Sequence, residues 1–207
     1  MAENEVRKPT QKRSIETKDK IIEAGFELIC NDGYHNTDTS KIAKKAGVST
    51  GIVYQYFKNK RDIFLAGLDK YADSIFYPTF DISDIEFDKN NISKNIKDII
   101  EKYINKHKLS AIAHEEIMSM THSDKDVAFY FYKREMEMTN KVAEFLEKNG
   151  LSTNNLHEKV HIIIGLVDNL CHEVVYHKHS ELNYDVMIDI VENEIVNILK
   201  TKVEIFQ

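Results

Sequence analysis

The chain has few of the residues that break helices. Its 207 residues include 7 glycines, 2 prolines and no tryptophan. Sandwiches and barrels of β-strands need many turn residues, so this composition disfavours them and predicts a largely helical protein. The length fits one or two domains, and a chain of this size buries a core without disulfide or metal staples.

Cysteines and long apolar runs are also scarce. Cys30 and Cys171 each lie among apolar residues, which predicts buried thiols in a reducing compartment rather than a disulfide bridge. The N-terminal sequence has no apolar run typical of a secretion signal, and no later segment approaches the roughly 18 uninterrupted apolar residues of a membrane span. We therefore expect a soluble, cytoplasmic protein.

Acidic residues are missing from one segment of a chain that is acidic as a whole. The net charge is −6, but residues 1–62 carry +3 and residues 63–207 carry −9. Residues 39–61 contain no acidic side chain and six basic ones, Lys41, Lys44, Lys45, Lys58, Lys60 and Arg61. A basic N-terminal segment is typical of nucleic-acid binding, although a solvated helix face carries similar charges.

Periodicity and capping residues predict nine helices. The first is Thr17–Asn31, and two short helices follow, one capped within residues 37–40 and ended at Gly47, the other capped at Ser49-Thr50. The remaining predicted helices are Lys60–Tyr77, Ile92–Lys108, Ser110–Met120, Asp124–Asn149, Asn155–His179 and Tyr184–Lys202. The expected architecture is all-α, with a small N-terminal domain (residues 1–62) and a larger helical domain (residues 63–207).

The two short helices, joined at residues 46–49, predict a helix-turn-helix. Small polar residues begin its second helix, and tyrosines and lysines follow. Small side chains let the backbone approach base edges, while hydroxyl and ammonium groups donate to phosphates. Double-stranded DNA is therefore the expected partner. The alternative that these residues leave open is a protein-binding helical hairpin with a basic face.

The run from Ser40 to Lys60, SKIAKKAGVSTGIVYQYFKNK, is preceded by Gly33-Tyr34 and Thr37. It resembles the DNA-binding signature of the TetR family of bacterial transcriptional regulators. The resemblance covers residues 21–68 and implies three N-terminal helices that bind a pseudopalindromic operator. It also implies a homodimer, usually a repressor, whose C-terminal helical body binds a small-molecule effector and dimerises.

Position by position, the resemblance implies which residues contact DNA. Phosphate contacts fall on Thr39, Tyr54, Tyr56 and Lys60, and base-reading positions on Ser40, Thr50, Gly51 and Ile52. Gln55 pairs with an adenine if its side chain faces the groove, and otherwise contacts phosphate or water. Because Ser40 stands where some members of the family carry a longer basic residue, the operator sequences of those members do not predict the operator of this protein.

The last two helices carry apolar seams at alternating four- and three-residue steps, which keep one stripe towards a partner helix. An intramolecular core explains such seams, and so does a second subunit. The family dimerises through its last two helices as a four-helix bundle. The resemblance therefore implies a dimer interface at Val160, Ile164, Val167, Cys171, Ile188, Val191 and Ile195.

Four consecutive aromatic residues occupy positions 129–132. Successive helical residues point about 100° apart, so the four cannot all enter one core. Methionine and aromatic side chains suit variable apolar ligands, and we therefore expect an effector site that includes Met118, Phe131 and Met136. Tyrosines half-buried at the edge of the core are the alternative. The acidic body favours an apolar or weakly cationic effector.

One motif of another functional class is present. His157-Glu158-Lys159-Val160-His161 matches the H-E-x-x-H pattern of zinc enzymes. The downstream glycine-bearing pattern is missing, and His172 lies about 16 Å beyond His161 along a helix, too far for one zinc ion to bridge. We expect no metal, no cofactor and no enzymatic activity. A zinc-dependent hydrolase using His157, Glu158 and His161 is the alternative.

Overall fold

The computed structural model describes residues 9–75, 87–88, 91–106, 111–151 and 153–201. This part of the chain forms nine helices and no strand, which confirms the predicted all-α fold. No helix within it combines the length and the apolar character needed to cross a bilayer. The helices are α1 (Lys12–Asp32), α2 (Thr39–Ala46), α3 (Thr50–Tyr56), α4 (Lys60–Ile75), α5 (Ile92–Lys106), α6 (Ala111–Ser123), α7 (Lys125–Lys148), α8 (Leu156–Val175) and α9 (Tyr184–Lys200).

The helices differ from the predicted ones at their ends. α1 begins at Lys12 rather than Thr17, and the Ser14 hydroxyl donates to the carbonyl oxygen of Gln11 across its first turn. α8 ends at Val175 rather than near His179. The predicted ends of α4, α5 and α9 and the predicted start of α6, at positions 77, 108, 202 and 110, lie outside the described residues.

The helices divide into two compact units. The first unit comprises Met1–Ile75 and Leu109–Phe129, and so holds α1 to α4, α6 and the start of α7. The second unit comprises Phe76–Lys108 and Tyr130–Gln207, and holds α5, the rest of α7, α8 and α9. The boundary expected from the sequence, between residues 62 and 63, falls inside α4, which the structure assigns wholly to the first unit.

The first unit is built around α1, which contacts α2, α3, α4 and α6. Its Ile21 is fully buried and packs in one cluster with Ile42 of α2, Val53 of α3 and Ile63 of α4. Burying an aliphatic side chain of this size contributes about 1.5–3 kcal/mol. This cluster therefore holds the two short helices in place against α1.

In the second unit, α8 and α9 pack on each other and α5 packs on both. The Lys97 ammonium of α5 lies 2.8 Å from an Asp189 carboxylate oxygen of α9. Lys159 is buried, and its ammonium donates to Thr153 Oγ1 at 2.6 Å and to the carbonyl oxygen of Thr201 at 2.5 Å. Buried charged groups need such partners, and these bonds join the start of α8 to the end of α9.

Candidate DNA-binding surface and ligand cavity

Capping side chains fix where α2 and α3 begin. The carboxylate of Asp38 accepts the backbone N–H of Lys41 at 2.8 Å, and the hydroxyl of Ser49 accepts that of Ile52 at 3.3 Å. Both residues are of the types preferred at this position. The Lys41 amide also lowers the pKa of the Asp38 carboxyl, which is therefore ionised at neutral pH.

The turn between α2 and α3 depends on Gly47. Its φ is 68°, in the left-handed region that glycine adopts without steric strain, and its N–H closes the end of α2 on the carbonyls of Ala43 and Lys44. The local sequence therefore produces the helix-turn-helix expected from it.

α3 presents an exposed polar face. Thr50, Gly51 and Gln55 are exposed, and Tyr54 is 51% exposed although its ring is large and partly apolar. Positions 50 and 54, and 51 and 55, are four residues apart and therefore share one side of a helix. Ile52 is half-buried beside this face. On α2, Ser40 is exposed and Thr39 half-buried.

Tyr56 and Lys60 have different surroundings from the other predicted contacts. Tyr56 is 5% exposed and packs in the core of the first unit. The Lys60 ammonium donates to the carbonyl oxygens of Tyr34, at 2.5 Å, and Thr37, at 2.8 Å. Burial lowers the pKa of Lys60, while Asp38 opposes that effect. Lys60 therefore ties the start of α4 to the loop between α1 and α2.

Several of the basic side chains in residues 39–61 also bind within the chain. The Lys41 ammonium donates to the carbonyl oxygen of Asn36 at 2.6 Å, and Lys45 pairs with Glu27 at 2.8 Å. Arg61 donates to the carboxylates of Asp124 and Asp126, with Nη2 at 2.7 Å from Asp124 Oδ1. Some of the basic side chains of this segment therefore stabilise the first unit and do not serve only as surface charge.

The second unit contains an apolar cavity of about 130 Å³. It is bordered by α5, α7, α8 and α9, and by Phe87. Its walls include Ile96 and Ile100 of α5, Val142 of α7, and Ile163 and Val167 of α8. Tyr103, also in the wall, directs its hydroxyl away to Asp168, at 3.1 Å. The cavity therefore suits an apolar molecule or the apolar chain of a larger ligand.

Comparison with known proteins identifies the helix-turn-helix. Residues 21–66 match the family model described as bacterial regulatory proteins of the tetR family. The N-terminal domain is of the TetR family. The fatty acid metabolism regulator protein of Bacillus subtilis is 53% identical over 47 residues, which cover 23% of this chain and 24% of that protein. The regulator HbdR of Aromatoleum sp. is 41% identical over 59 residues, 28% and 26% of the two chains. These alignments span about a quarter of the curated TetR-family relatives.

Solved structures share the fold over almost the whole chain. The fatty acid degradation regulator FadR of Bacillus halodurans has a TM-score of 0.59 and 21% identity, and the match covers 94% of this chain and 100% of that one. A transcriptional regulator of Rhodococcus sp. Rha1 has a TM-score of 0.61 and 16% identity, covering 87% and 96%. The body of this chain therefore has the fold of these regulators.

The three residues expected to bind an effector do not line the cavity. Met118 is half-buried and belongs to the first unit, while Phe131 and Met136 are half-buried on α7. The α7 residues in the cavity wall lie farther along the helix, at Met138, Val142, Phe145 and Leu146. Within the aromatic run, Phe129 and Tyr132 are 66% and 60% exposed. The isoleucines of α5, spaced three and four residues apart, were the signal that could have located the cavity.

Most residues of the expected dimer seam face inward. Val160, Ile164, Cys171 and Ile195 are buried within the chain. Val167, Ile188 and Val191 are half-buried against the same core. Val160, Ile164, Cys171 and Ile195 thus offer little surface to a second subunit in the single chain, and their place in a dimer interface stays a prediction. The exposed apolar residues of α8 and α9 are instead Ile162, Val186 and Ile190, at 50–56% exposure.

The H-E-x-x-H motif occupies the first two turns of α8. His157 and Glu158 are exposed. His161 turns towards α7, with Nδ1 at 3.2 Å from Thr139 Oγ1 and Nε2 at 3.7 Å from Glu135 Oε1. Both ring nitrogens of His161 thus face α7, which makes this histidine a contact between two helices of the second unit.

Both cysteines are buried thiols. Burial raises the pKa of Cys30 to about 11 and that of Cys171 to about 12, with nearby carboxylates adding to the effect. Since the thiolate is the reactive form, neither residue is suited to redox chemistry or metal binding at neutral pH.

Proposed function

We propose that this chain is a ligand-responsive transcriptional regulator of the cytoplasm that binds its operator as a homodimer. An apolar ligand enters the cavity of the second unit and releases the DNA, so the protein acts as a repressor. The observation that carries this proposal is the apolar cavity, found in a chain whose first unit has an exposed helix-turn-helix.

The shape of the cavity supports an unbranched aliphatic chain as the ligand. Its α5 wall runs from Ile92 to Tyr103, a distance of about 16 Å along a helix. A volume of about 130 Å³ spread over that length leaves a narrow space. Two relatives are named as regulators of fatty acid metabolism and degradation, and the ligand class we propose is a fatty acyl chain.

The proposed dimer interface is the outer face of α8 and α9. Ile162, Val186 and Ile190 are large apolar side chains that are at least half exposed in the single chain. Val186 and Ile190 lie one turn apart on α9, so they form a stripe. A second copy that covers this face would bury the stripe. The apolar residues on the opposite side of α8 and α9 would remain in the cavity wall and the core of their own chain.

The proposed DNA contacts divide by their surroundings. Thr50, Gly51 and Ser40 are exposed and small enough to meet base edges, with Ile52 at the margin and Gln55 reaching a base or phosphate. Tyr54 and Thr39 donate hydroxyl groups to phosphates. The ring of Tyr56 is buried, so its contribution is limited to its hydroxyl. Lys60 has three N–H donors, two of which are engaged by the loop, and we propose that the third donates to a phosphate.

Selection of duplexes from a random pool tests the DNA-binding half of the proposal. We expect a pseudopalindrome with half-sites about one helical turn or a multiple apart, and an affinity that falls steeply with salt. Tyr54→Phe should weaken all sequences alike. Thr50→Ala should change the preferred sequence, with a loss of about 1–3 kcal/mol on the original site. Recovery of no common sequence, or an affinity independent of salt, would refute the proposal.

A further inference from the structure

The loop between α1 and α2 is held by a carboxylate from a helix outside the helix-turn-helix. The backbone N–H of Tyr34 donates to Glu116 Oε2 of α6 at 2.8 Å. Both groups belong to the first unit. A hydrogen bond from a backbone amide to an ionised carboxylate is among the stronger kinds in proteins. Glu116 therefore fixes the position of the loop backbone at Tyr34.

The neighbouring residue is shaped for the same contact. Gly33 has a φ of 90°, and a Cβ atom built on it would lie 2.9 Å from Glu116 Oε1. Any side chain at position 33 would therefore meet the carboxylate and also strain the backbone. The positive φ favours glycine at this position, and the absence of a Cβ atom leaves room for the Glu116 carboxylate beside the loop.

The same loop binds the predicted phosphate contact Lys60. The carbonyl oxygens of Tyr34 and Thr37 both accept from the Lys60 ammonium, which also lies 4.2 Å from the centre of the Tyr34 ring. The N–H and the C=O of Tyr34 thus point to two different charged side chains, Glu116 and Lys60. A displacement of Tyr34 would move one of the two carbonyl acceptors and the ring beside the ammonium, and would therefore change the position of the Lys60 ammonium.

We propose that Glu116 is a positioning residue for DNA binding, which acts through Tyr34 on Lys60 without touching the operator. This inference rests on the proposed DNA-binding function. Glu116 keeps the loop rigid, and the rigid loop holds the third N–H of Lys60 towards the phosphate. Without the carboxylate, the Lys60 side chain regains its freedom and the phosphate contact is lost.

The test compares Glu116→Ala, Lys60→Met and the double variant on the duplex that the wild type selects. We expect each single variant to bind about tenfold more weakly. The slope of log K against log salt should shrink by about 1.8, because the proposed homodimer loses one phosphate contact in each subunit and each contact contributes about 0.9. The double variant should bind no more weakly than Lys60→Met, because both changes remove the same contact. Glu116→Gln keeps an acceptor for the Tyr34 amide and should restore most of the affinity and the slope.

A matched control is Glu115→Gln, which removes the same charge from an exposed position of the same helix. We expect it to leave the salt slope unchanged. Hydrogen exchange of the peptide spanning residues 33–38 gives a second readout that needs no DNA, and this peptide should exchange faster in Glu116→Ala and in Gly33→Ala than in the wild type.

The inference is overturned if Glu116→Ala retains the wild-type slope and exchange rate. It is also overturned if the effects of Glu116→Ala and Lys60→Met multiply in the double variant. A wild type that selects no duplex refutes the proposed function instead, and the exchange experiment then still decides whether Glu116 holds the loop.

Discussion

The contact between Arg61 and Asp124 could not be predicted from the sequence. They are distant in sequence, yet the guanidinium of Arg61 donates to both carboxylate oxygens of Asp124. Asp124 also accepts the backbone N–H groups of Asp126 and Val127, and so caps the start of α7. The basic segment of residues 39–61 predicts DNA binding. That one of its side chains, Arg61, instead pairs with a distant aspartate is visible only in the folded structure.

Asp124 makes the stability of the first unit depend on pH. The hydrogen bond from Arg61 lowers the pKa of Asp124 to about 2. A depressed carboxyl pKa means that the contribution to stability is present above the unfolded value of about 4 and is lost as the pH falls through about 2. We expect Asp124→Asn to lower the free energy of unfolding by about 1 kcal/mol at pH 7, a modest value because Arg61 is partly exposed and solvent screens the pair.

Denaturant unfolding followed by circular dichroism at several pH values measures this effect. The gap between Asp124→Asn and the wild type should narrow between about pH 4 and pH 2. Asp126→Asn is the matched control, because that carboxylate also binds Arg61 but is 70% exposed, and it should cost less. A gap of equal size at pH 2 and pH 7 would contradict the assignment.

At the scale of the helices, periodicity predicts that a stripe is buried but not what it is buried against. Val160 and Ile164 of α8 and Ile195 of α9 were expected to meet a second subunit, and the structure buries them in their own. The capped helices α2 and α3 could be located from sequence because Asp38, Gly47 and Ser49 act locally. The cavity was missed because its wall combines residues of four helices that only tertiary packing brings together.

The cavity residues on α7 give a direct test of the ligand site. Val142→Phe places a ring in the narrow space, and we expect it to abolish binding of fatty acids that the wild type binds. Met136→Ala is the control on the same helix, outside the cavity wall, and should bind them normally. Titration calorimetry with saturated fatty acids of increasing length measures both. Loss of binding in Met136→Ala but not in Val142→Phe would place the site elsewhere.

Glutamate substitutions test whether the outer face of α8 and α9 is the dimer interface. Introducing Ile162→Glu and Ile190→Glu together would bury unpaired carboxylates in the proposed interface, which is strongly unfavourable. Sedimentation analysis should then find a monomer where the wild type is a dimer. Leu182→Glu changes an exposed apolar residue between the two helices and should leave the dimer intact. A doubly substituted chain that still dimerises would show that another face is used.

At the scale of the whole molecule, the TetR-family assignment could be made from sequence because the signature occupies consecutive residues. The helical fold of residues 63–207 could be predicted in outline, because a chain with so few glycines and prolines favours helices. The division into two units could not be predicted, because α6 belongs to the first unit through contacts such as that of Glu116 with Tyr34. Those contacts link residues that no local pattern connects.

We propose that an apolar ligand and the operator weaken each other's binding to the same protein. The decisive measurement is the operator affinity at rising concentrations of a saturated fatty acid that binds the protein, together with the fatty acid affinity with and without operator. Linkage requires that each weakens the other by the same factor. We predict a reciprocal loss of about 5- to 150-fold, the usual range of such coupling. A fatty acid that saturates the cavity and leaves operator affinity unchanged would contradict the proposed coupling between ligand and DNA.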